Sequence, residues 1–494
     1  MDDVRAAGTA PRPPPLSVDT RRVGASVEAD EPLNPTARLF QDLYVVTVVG
    51  LGMPINLETF RAGLDATLVQ HPRFCSIRVM DAPESKVTPR WVGTTVNLDD
   101  HVLVPDLDPV AVAANPDEAL EDYVASLSTL PMDGSRPPWE AHVLDFPTSE
   151  SASAVALRFH HALGDGVSLI SLFVACTRSA ADPDALPAMA SHPARRTAAA
   201  RSSSSSGFVL AFAARVLSFV ALAWHTVVDM AGFLALVLLG GDPPTVFTGV
   251  PGVEFRRKRF VSRSLSFSDV KHVKNVLRCT VNDVLVGVTS AALSRYYFRK
   301  RGDSATKKGM CLRSVLVVNM RPTPGVQKLA KMMESSKHND MKWGNRLGYI
   351  ILPFHIALHD DPLEYVRKAK KTVDRKKHSL EATLTHMITE AATKLFGVKV
   401  SGALFHRMIA RTTMPFSNVP GPVEPVLLYG NPVMYIAPTI YGNPSALTTH
   451  WQSYGDTIRV ILAVDDAQFP DSHQLLDDFD ESLKLIRDAT SGEL

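Results

Sequence analysis

A mixed α/β fold in two halves is predicted by three observations. Segments in which apolar residues alternate, such as Val155, Leu157 and Phe159, read as half-buried strands. Segments with apolar residues three and four apart, such as Leu57, Phe60, Leu64 and Leu68, read as helices. The two kinds are interleaved without a fixed-period repeat, and the chain is divided by a stretch of altered composition, residues 181–207, ending in Ser202 to Ser206. That stretch has the composition of a flexible linker. At 494 residues the chain is long enough for two domains with a sizeable core.

Taken in order, residues 1–30 are rich in Pro, Ala, Asp and Arg without apolar period and read as a disordered tail. Residues 31–180 form the first domain. Tyr44 to Val49 is a β-branched strand, and Leu57 to Gln70 a helix stopped by His71-Pro72. Asp117 to Leu130 is a second helix with Leu120, Tyr123, Val124 and Leu127 inward; Ala141 to Phe146 and Ala154 to Phe159 are strands. After the linker comes an apolar stretch, 208–241, and then the second domain, 251–494. In it Phe260 to Phe267 reads as a strand, Ser268 as the cap of a helix to Arg278, and Thr280 as the cap of another from Val281 to Phe298. Ser314 to Val318, Leu347 to Phe354 and Val433 to Tyr441 read as strands, Asp360 to Phe396 as mostly helical. Leu447 to Gln452 and Thr457 to Val464 form a hairpin, and His473 to Ala489 a last amphipathic helix.

Composition excludes several function classes. A net charge of +1 with 45% hydrophobic residues gives no overall pull toward nucleic acid. Cys75, Cys176, Cys279 and Cys311 are far apart, without the spacing of a zinc site or a disulfide framework, and fit a reducing, cytosol-facing environment. Met1 is followed by Asp2, Asp3 and Arg5 rather than an apolar run, so no secretory signal is expected.

The chemistry gathers at Arg158-Phe-His-His-Ala-Leu-Gly-Asp-Gly166. Two histidines, His160 and His161, end a strand; Asp165 stands at the N-cap of the following apolar helix, Val167 to Cys176; Gly164 and Gly166 permit a tight turn. A histidine held there has the proton affinity to deprotonate an alcohol. A bare pair of histidines is as well explained by packing; the full His-His-x-x-x-Asp-Gly pattern at a strand-to-helix corner is not. Four further segments are bland singly: Pro137-Pro138-Trp139 as a packing tryptophan, Asn282-Asp283 as a helix opening, Asn319-Met320-Arg321-Pro322 as a turn, and Ser417-Asn418-Val419-Pro420-Gly421-Pro422 as a dense turn.

Together and in this order, these segments resemble the wax ester synthase/diacylglycerol acyltransferase family, in particular its plant branch, within the chloramphenicol-acetyltransferase-like superfamily. The resemblance covers the chain from about Leu33 to Ala489. The Asp-Phe-Gly-Trp-Gly string of the soluble plant alcohol acyltransferases is absent, and Pro138 stands where the family usually has Leu.

The resemblance implies two chloramphenicol-acetyltransferase-like domains with an active-site channel between them. It implies transfer of a fatty acyl group from acyl-CoA to a long-chain alcohol, with diacylglycerol as a second acceptor. Because a thioester is already activated, neither a metal nor another cofactor is expected; acyl-CoA is a co-substrate. His161 is matched to the proton acceptor, His160 to its support, Asp165 to a loop-pinning role through an ion pair with an arginine, and Gly166 to keeping the channel open. Ser417 and Asn418 are candidates for holding the oxyanion, with a backbone N–H as the alternative, and Asn282, Asp283 and Trp139 for substrate contact. The basic run Lys368, Lys370, Lys371, Arg375, Lys376 and Lys377 either attracts CoA phosphates or an anionic membrane, or is a solvated helix face.

The apolar stretch exceeds the roughly 20 residues of one span but contains Arg215, His225 and Asp229, costly at mid-bilayer. Basic residues flank it on both sides, and a single crossing would separate the histidines from Ser417 to Pro422. A helical hairpin or an interfacial helix is therefore expected, with a buried helix pair as the alternative. The expected location is the endoplasmic reticulum membrane, catalytic part in the cytosol, with the plasma membrane as a further site. The rival functions are acylation of a phenolic or short-chain alcohol, and a non-catalytic lipid-binding or scaffold role.

Overall fold

The computed structural model describes residues 31–33, 37–39, 42–79, 89–189, 205–302, 309–320, 326–335 and 345–492. The tail 1–30 and residues 190–204 of the linker lie outside the described residues, as do Arg321 and Pro322. In chain order the strands are β1 (Glu31–Pro32), β2 (Tyr44–Leu51), β3 (Ser76–Val79), β4 (Arg90–Gly93), β5 (Val102–Leu103), β6 (Trp139–Leu144), β7 (Ser153–His160), β8 (Thr177–Ser179), β9 (Lys258–Ser266), β10 (Met310–Asn319), β11 (Leu347–Ile356), β12 (Met414–Pro420), β13 (Val426–Leu428), β14 (Asn431–Tyr441), β15 (Leu447–Tyr454) and β16 (Thr457–Asp465). The helices are α1 (Leu57–Ala66), α2 (Pro109–Ala114), α3 (Pro116–Ser126), α4 (Gly166–Ala175), α5 (Ser205–Leu238), α6 (Phe267–Val276), α7 (Val281–Arg301), α8 (Val326–Ser335), α9 (Leu363–Lys377), α10 (Glu381–Ala410) and α11 (Ser472–Ala489).

Two large sheets organise the chain. The N-terminal sheet runs β5-β6-β7-β2-β14-β13-β8 and the C-terminal sheet β11-β10-β12-β15-β16-β9, with a small third sheet β1-β4-β3. β14, expected in the second domain, pairs antiparallel with β2 from Tyr441 opposite Tyr44 to Val433 opposite Leu51. The domain boundary drawn by sequence is therefore crossed: the C-terminal half lends β13 and β14 to the N-terminal sheet. Gly442 lets the chain turn back; its φ is +86°, and a Cβ there would strike the Asp42 carbonyl.

Alternation along β7 sets the two faces of the N-terminal sheet. Val155, Leu157 and Phe159 belong to a core shared with Phe60 and Leu64 of α1 and Leu169 and Leu172 of α4. Ala154 and Ala156 face the other way, and their small side chains let Phe260, Ile461 and Ala463 of the C-terminal sheet pack close, with Leu120 and Val124 of α3 beside them. The second domain has its own core, in which fully buried Trp451 of β15 faces α7 and donates to Thr289 Oγ1 at 3.2 Å.

Several boundaries differ from expectation for local reasons. α1 ends at Ala66 because the Thr67 hydroxyl turns back to the Gly63 carbonyl at 2.7 Å, leaving residues 68–70 as a 3-10 turn. Ser266, not Ser268, caps α6. The helical run 360–396 is two helices, the second continuing to Ala410 through a break at Gly397, whose φ is +80°. Ser417 to Pro420, expected as part of a turn, lie in the parallel strand β12, paired with His450 to Ser453. β10 accompanies β12 only as far as Phe416, so beyond that residue the tolerance for proline is that of an edge.

The apolar stretch is one continuous helix, α5, of 34 residues, and not a hairpin. From Thr226 onward it is clamped to the C-terminal domain. Thr226 Oγ1 accepts from the Leu380 amide at 3.0 Å, Asp229 accepts from Lys376 at 2.9 Å and Arg375 at 2.7 Å, and Arg411 donates to the carbonyls of Leu236 and Val237. The acid that would be costly in a bilayer centre thus meets two cations of α9. Earlier in the helix Phe212, Leu217, Phe219 and Trp224 are exposed. Part of the basic run on α9 is paired with acids: Lys376 also meets Glu381, Lys370 meets Asp374, and Lys377 meets Asp374 and Asp283.

Candidate active site at the domain junction

β7 ends at His160, opposite Tyr44 of β2, and His161 is the first residue of the turn beyond it. The His160 ring takes the edge of Tyr44, accepts from the Ala162 amide at 3.0 Å and meets Arg78 Nη1 at 2.8 Å. These contacts tie the ring to Tyr44, to Arg78 and to the start of the loop.

His161 is 7% exposed and is held through its backbone from both halves of the chain. Its N–H donates to the Leu43 carbonyl at 2.8 Å, and its own carbonyl accepts from Asn345 Nδ2 at 2.9 Å. Burial lowers the proton affinity of the ring, opposed by its own carbonyl and by the charge of Asp165. A neutral imidazole in this place can take a proton. Asp165 is buried and accepts from the Ser168 amide at 2.8 Å, so it caps α4 and pins the turn. Gly166 opens α4; the nearest atom to a Cβ placed there is Val419 Cγ2 at 3.8 Å.

The β12–β15 ladder meets this loop at Val419, beside Gly166. Ser417 stands opposite His450, and Val419 opposite Gln452. Side chains paired in register share a face, and this one is turned to the first domain: Ile461, opposite His450 on the next strand, packs with Val46, Val48 and Ala156. Ser417 Oγ and His450 Nδ1 are 2.6 Å apart. Burial, joined by the charge of His161, pushes His450 down to about 4. Val419 and Gln452 line a narrow cavity of about 50 Å³ with Gly166, Leu157, Phe159, Leu169 and Phe173.

Not every sequence candidate reaches this place. Trp139 is fully buried in the first domain, stacked on His101 at 4.3 Å and donating to the Phe74 carbonyl; it is a packing residue. Asp283 forms a capping box with Thr280 at the start of α7. That helix packs against Trp451, on the sheet face opposite His450, and Asn282 opens it. Asn418 alternates with Ser417 and stands opposite Trp451, so its side chain falls on that other face too. Sequence reasoning missed His450 and Asn345. Alternation on β15, with Thr448, His450 and Gln452 opposed to the apolar Leu447 and Trp451, was a signal for the first; Asn345 is visible only through its tertiary contact.

A larger pocket of about 510 Å³ lies beyond Leu43, and charged Arg38, Asp42, Glu254 and Lys399 form part of its wall. Its wall includes Leu43, whose carbonyl holds His161, together with Leu39, Phe255, Phe405, Ile409 and Gly402. Leu395, Phe396 and Val400 are exposed on the same stretch of α10.

Comparison with known proteins agrees with this architecture. Residues 40–285 match the wax ester synthase/diacylglycerol acyltransferase catalytic domain, and 343–487 the C-terminal domain of that family. The chain is 43% identical over 493 residues to wax ester synthase/diacylglycerol acyltransferase 11 of Arabidopsis thaliana, covering 96% of this chain and 98% of that protein. It is 41% identical over 477 residues to number 5 of the same plant, covering 93% and 94%. The fold is similar to the wax ester synthase/diacylglycerol acyltransferase of Marinobacter aquaeolei VT8, at 19% identity and a TM-score of 0.59 over 93% of this chain and 100% of that one. It is also similar to the first condensation domain of the CDA synthetase, at 12% identity and a TM-score of 0.53 over 92% of each chain. Two sheet-bearing halves that close on a buried histidine, in a chain matched along nearly its whole length, make this protein a member of the wax ester synthase/diacylglycerol acyltransferase family, an acyl-CoA-dependent O-acyltransferase.

Proposed function

We propose that the protein esterifies long-chain alcohols with fatty acyl groups from acyl-CoA, and acylates diacylglycerol as a second activity, with His161 as the base. The observation that carries this reading is the hold on His161 by Leu43 and Asn345, with Leu43 also lining a pocket of about 510 Å³. The neutral ring takes the proton of the acceptor hydroxyl as its oxygen attacks the thioester carbonyl. The tetrahedral intermediate collapses, the C–S bond breaks, and protonated His161 returns the proton to the CoA thiolate. Burial favours the neutral ring at the outset and its discharge at the end.

The acceptor enters from a membrane. The exposed apolar faces of α5 and of α10 near Gly397 supply the contact, lying in the interface rather than crossing it. The membrane is that of the endoplasmic reticulum, with the plasma membrane as a further site and the catalytic part in the cytosol. An acceptor panel tests the reading: hexadecanol and dioleoylglycerol in vesicles, against a short-chain and a phenolic alcohol, each with labelled palmitoyl-CoA. The proposal requires the lipid acceptors to win; preference for a soluble acceptor overturns it.

A further inference from the structure

His450 carries a feature that the reaction scheme above leaves unused. The ring is 4% exposed, and its Nε2 is buried without a hydrogen-bond partner among the described residues. A buried polar atom left unpaired is costly, so its persistence calls for an explanation. Its other nitrogen, Nδ1, lies 2.6 Å from the Ser417 hydroxyl. A hydroxyl that donates to Nδ1 leaves the proton of the neutral ring on Nε2. The Nε2–H then stands on the same sheet face as Val419, which meets Gly166 at the end of the His161 loop.

The sequence alternatives for holding the oxyanion do not fill this place equally. Asn418 faces the other side of the sheet, opposite Trp451. Ser417 is engaged by His450 itself. We infer that His450 Nε2–H is an oxyanion donor of the acyl transfer, with Ser417 fixing its tautomer. It hydrogen-bonds the thioester oxygen as negative charge develops there. The substrate thus satisfies in the transition state a donor left unpaired among the described residues. His450 remains uncharged at neutral pH, as a donor beside a base must if that base is to accept a proton.

This inference rests on His161 being the base, and the test separates the two. His450→Ala, His450→Gln, His450→Asn and Ser417→Ala are compared with wild type and His161→Ala in steady-state assays with palmitoyl-CoA and hexadecanol. The amide nitrogen of glutamine reaches about where Nε2 sits; that of asparagine does not. His450→Ala is expected to lower kcat by about 10²–10³-fold with the KM for palmitoyl-CoA changed less than about threefold. His450→Gln restores kcat to within about tenfold of wild type while His450→Asn does not, and Ser417→Ala loses less than His450→Ala. Unchanged kcat in His450→Ala, a loss confined to KM, or folded His450→Gln no better than His450→Asn overturns the inference. If His161→Ala keeps full activity, it is the base that is misassigned.

Discussion

The side-chain amide of Asn345, just before β11, donates to the main-chain carbonyl of His161 at 2.9 Å and also approaches the Ala162 carbonyl at 3.4 Å. With the Leu43 carbonyl on the other side, the peptide bearing the proposed base is fixed from two directions. Asn345→Ala removes one of them. Thermal and denaturant unfolding should show a loss of about 1–3 kcal/mol, and kcat should fall about tenfold or more because the ring is no longer held to its line of attack. An unchanged kcat would make the contact purely architectural.

The fold was legible where one residue type decides one conformation. The capping box of Thr280 and Asp283, the cap at Asp165, and the hairpin turn at Gly455, whose φ is +55°, all stand where local chemistry puts them. The histidine motif was equally local. The strand β12 was not, because serine, proline and glycine favour turns until a parallel neighbour supplies the pairing that overrides them. The migration of β14 to the first sheet was invisible, since an alternating strand does not name its partner. The same holds for Asp229: an acid in an apolar run reads as a cost until Lys376 and Arg375 arrive from about 150 residues later.

The acid limb of the rate profile follows from the burial of His161. A lowered proton affinity keeps the ring neutral to more acidic pH, so kcat/KM should hold at neutrality and begin to fall only below about pH 6.5, the unperturbed value. His450 adds a stability effect whose sign is fixed by the same burial. Its folded value of about 4 lies below the unfolded one, so the unfolded chain binds more protons as pH drops from about 6.5. Stability from this group is complete above that range and declines by up to about 3 kcal/mol toward pH 4. Chemical denaturation at pH 7 and pH 4.5 checks this: His450→Gln should flatten the difference, and an equal slope in both proteins would contradict it.

Membrane contact through α5 should depend on its exposed half alone. Phe219 is 71% and Trp224 66% exposed, so replacing both with Glu disturbs no packing. The double variant should keep the melting temperature and lose most of its sedimentation with phospholipid vesicles. Equal partitioning of both proteins would exclude this face.

The 510 Å³ cavity offers a plug that the fold tolerates. Gly402 lines it, and a Cβ there meets nothing within 4 Å. Gly402→Trp should raise the KM for hexadecanol by about tenfold, equivalent to about 1.4 kcal/mol, while leaving that for palmitoyl-CoA within about threefold. The opposite pattern would assign the cavity to the acyl chain, and no change in either would remove it from the substrate path.

The most direct measurement is product formation from labelled palmitoyl-CoA and hexadecanol on vesicles, wild type beside His161→Ala with both proteins shown to be folded. Loss of the general base should cut wax ester formation by roughly 10²–10⁴-fold at unchanged binding of palmitoyl-CoA. Wax ester made at the wild-type rate by His161→Ala would contradict the account.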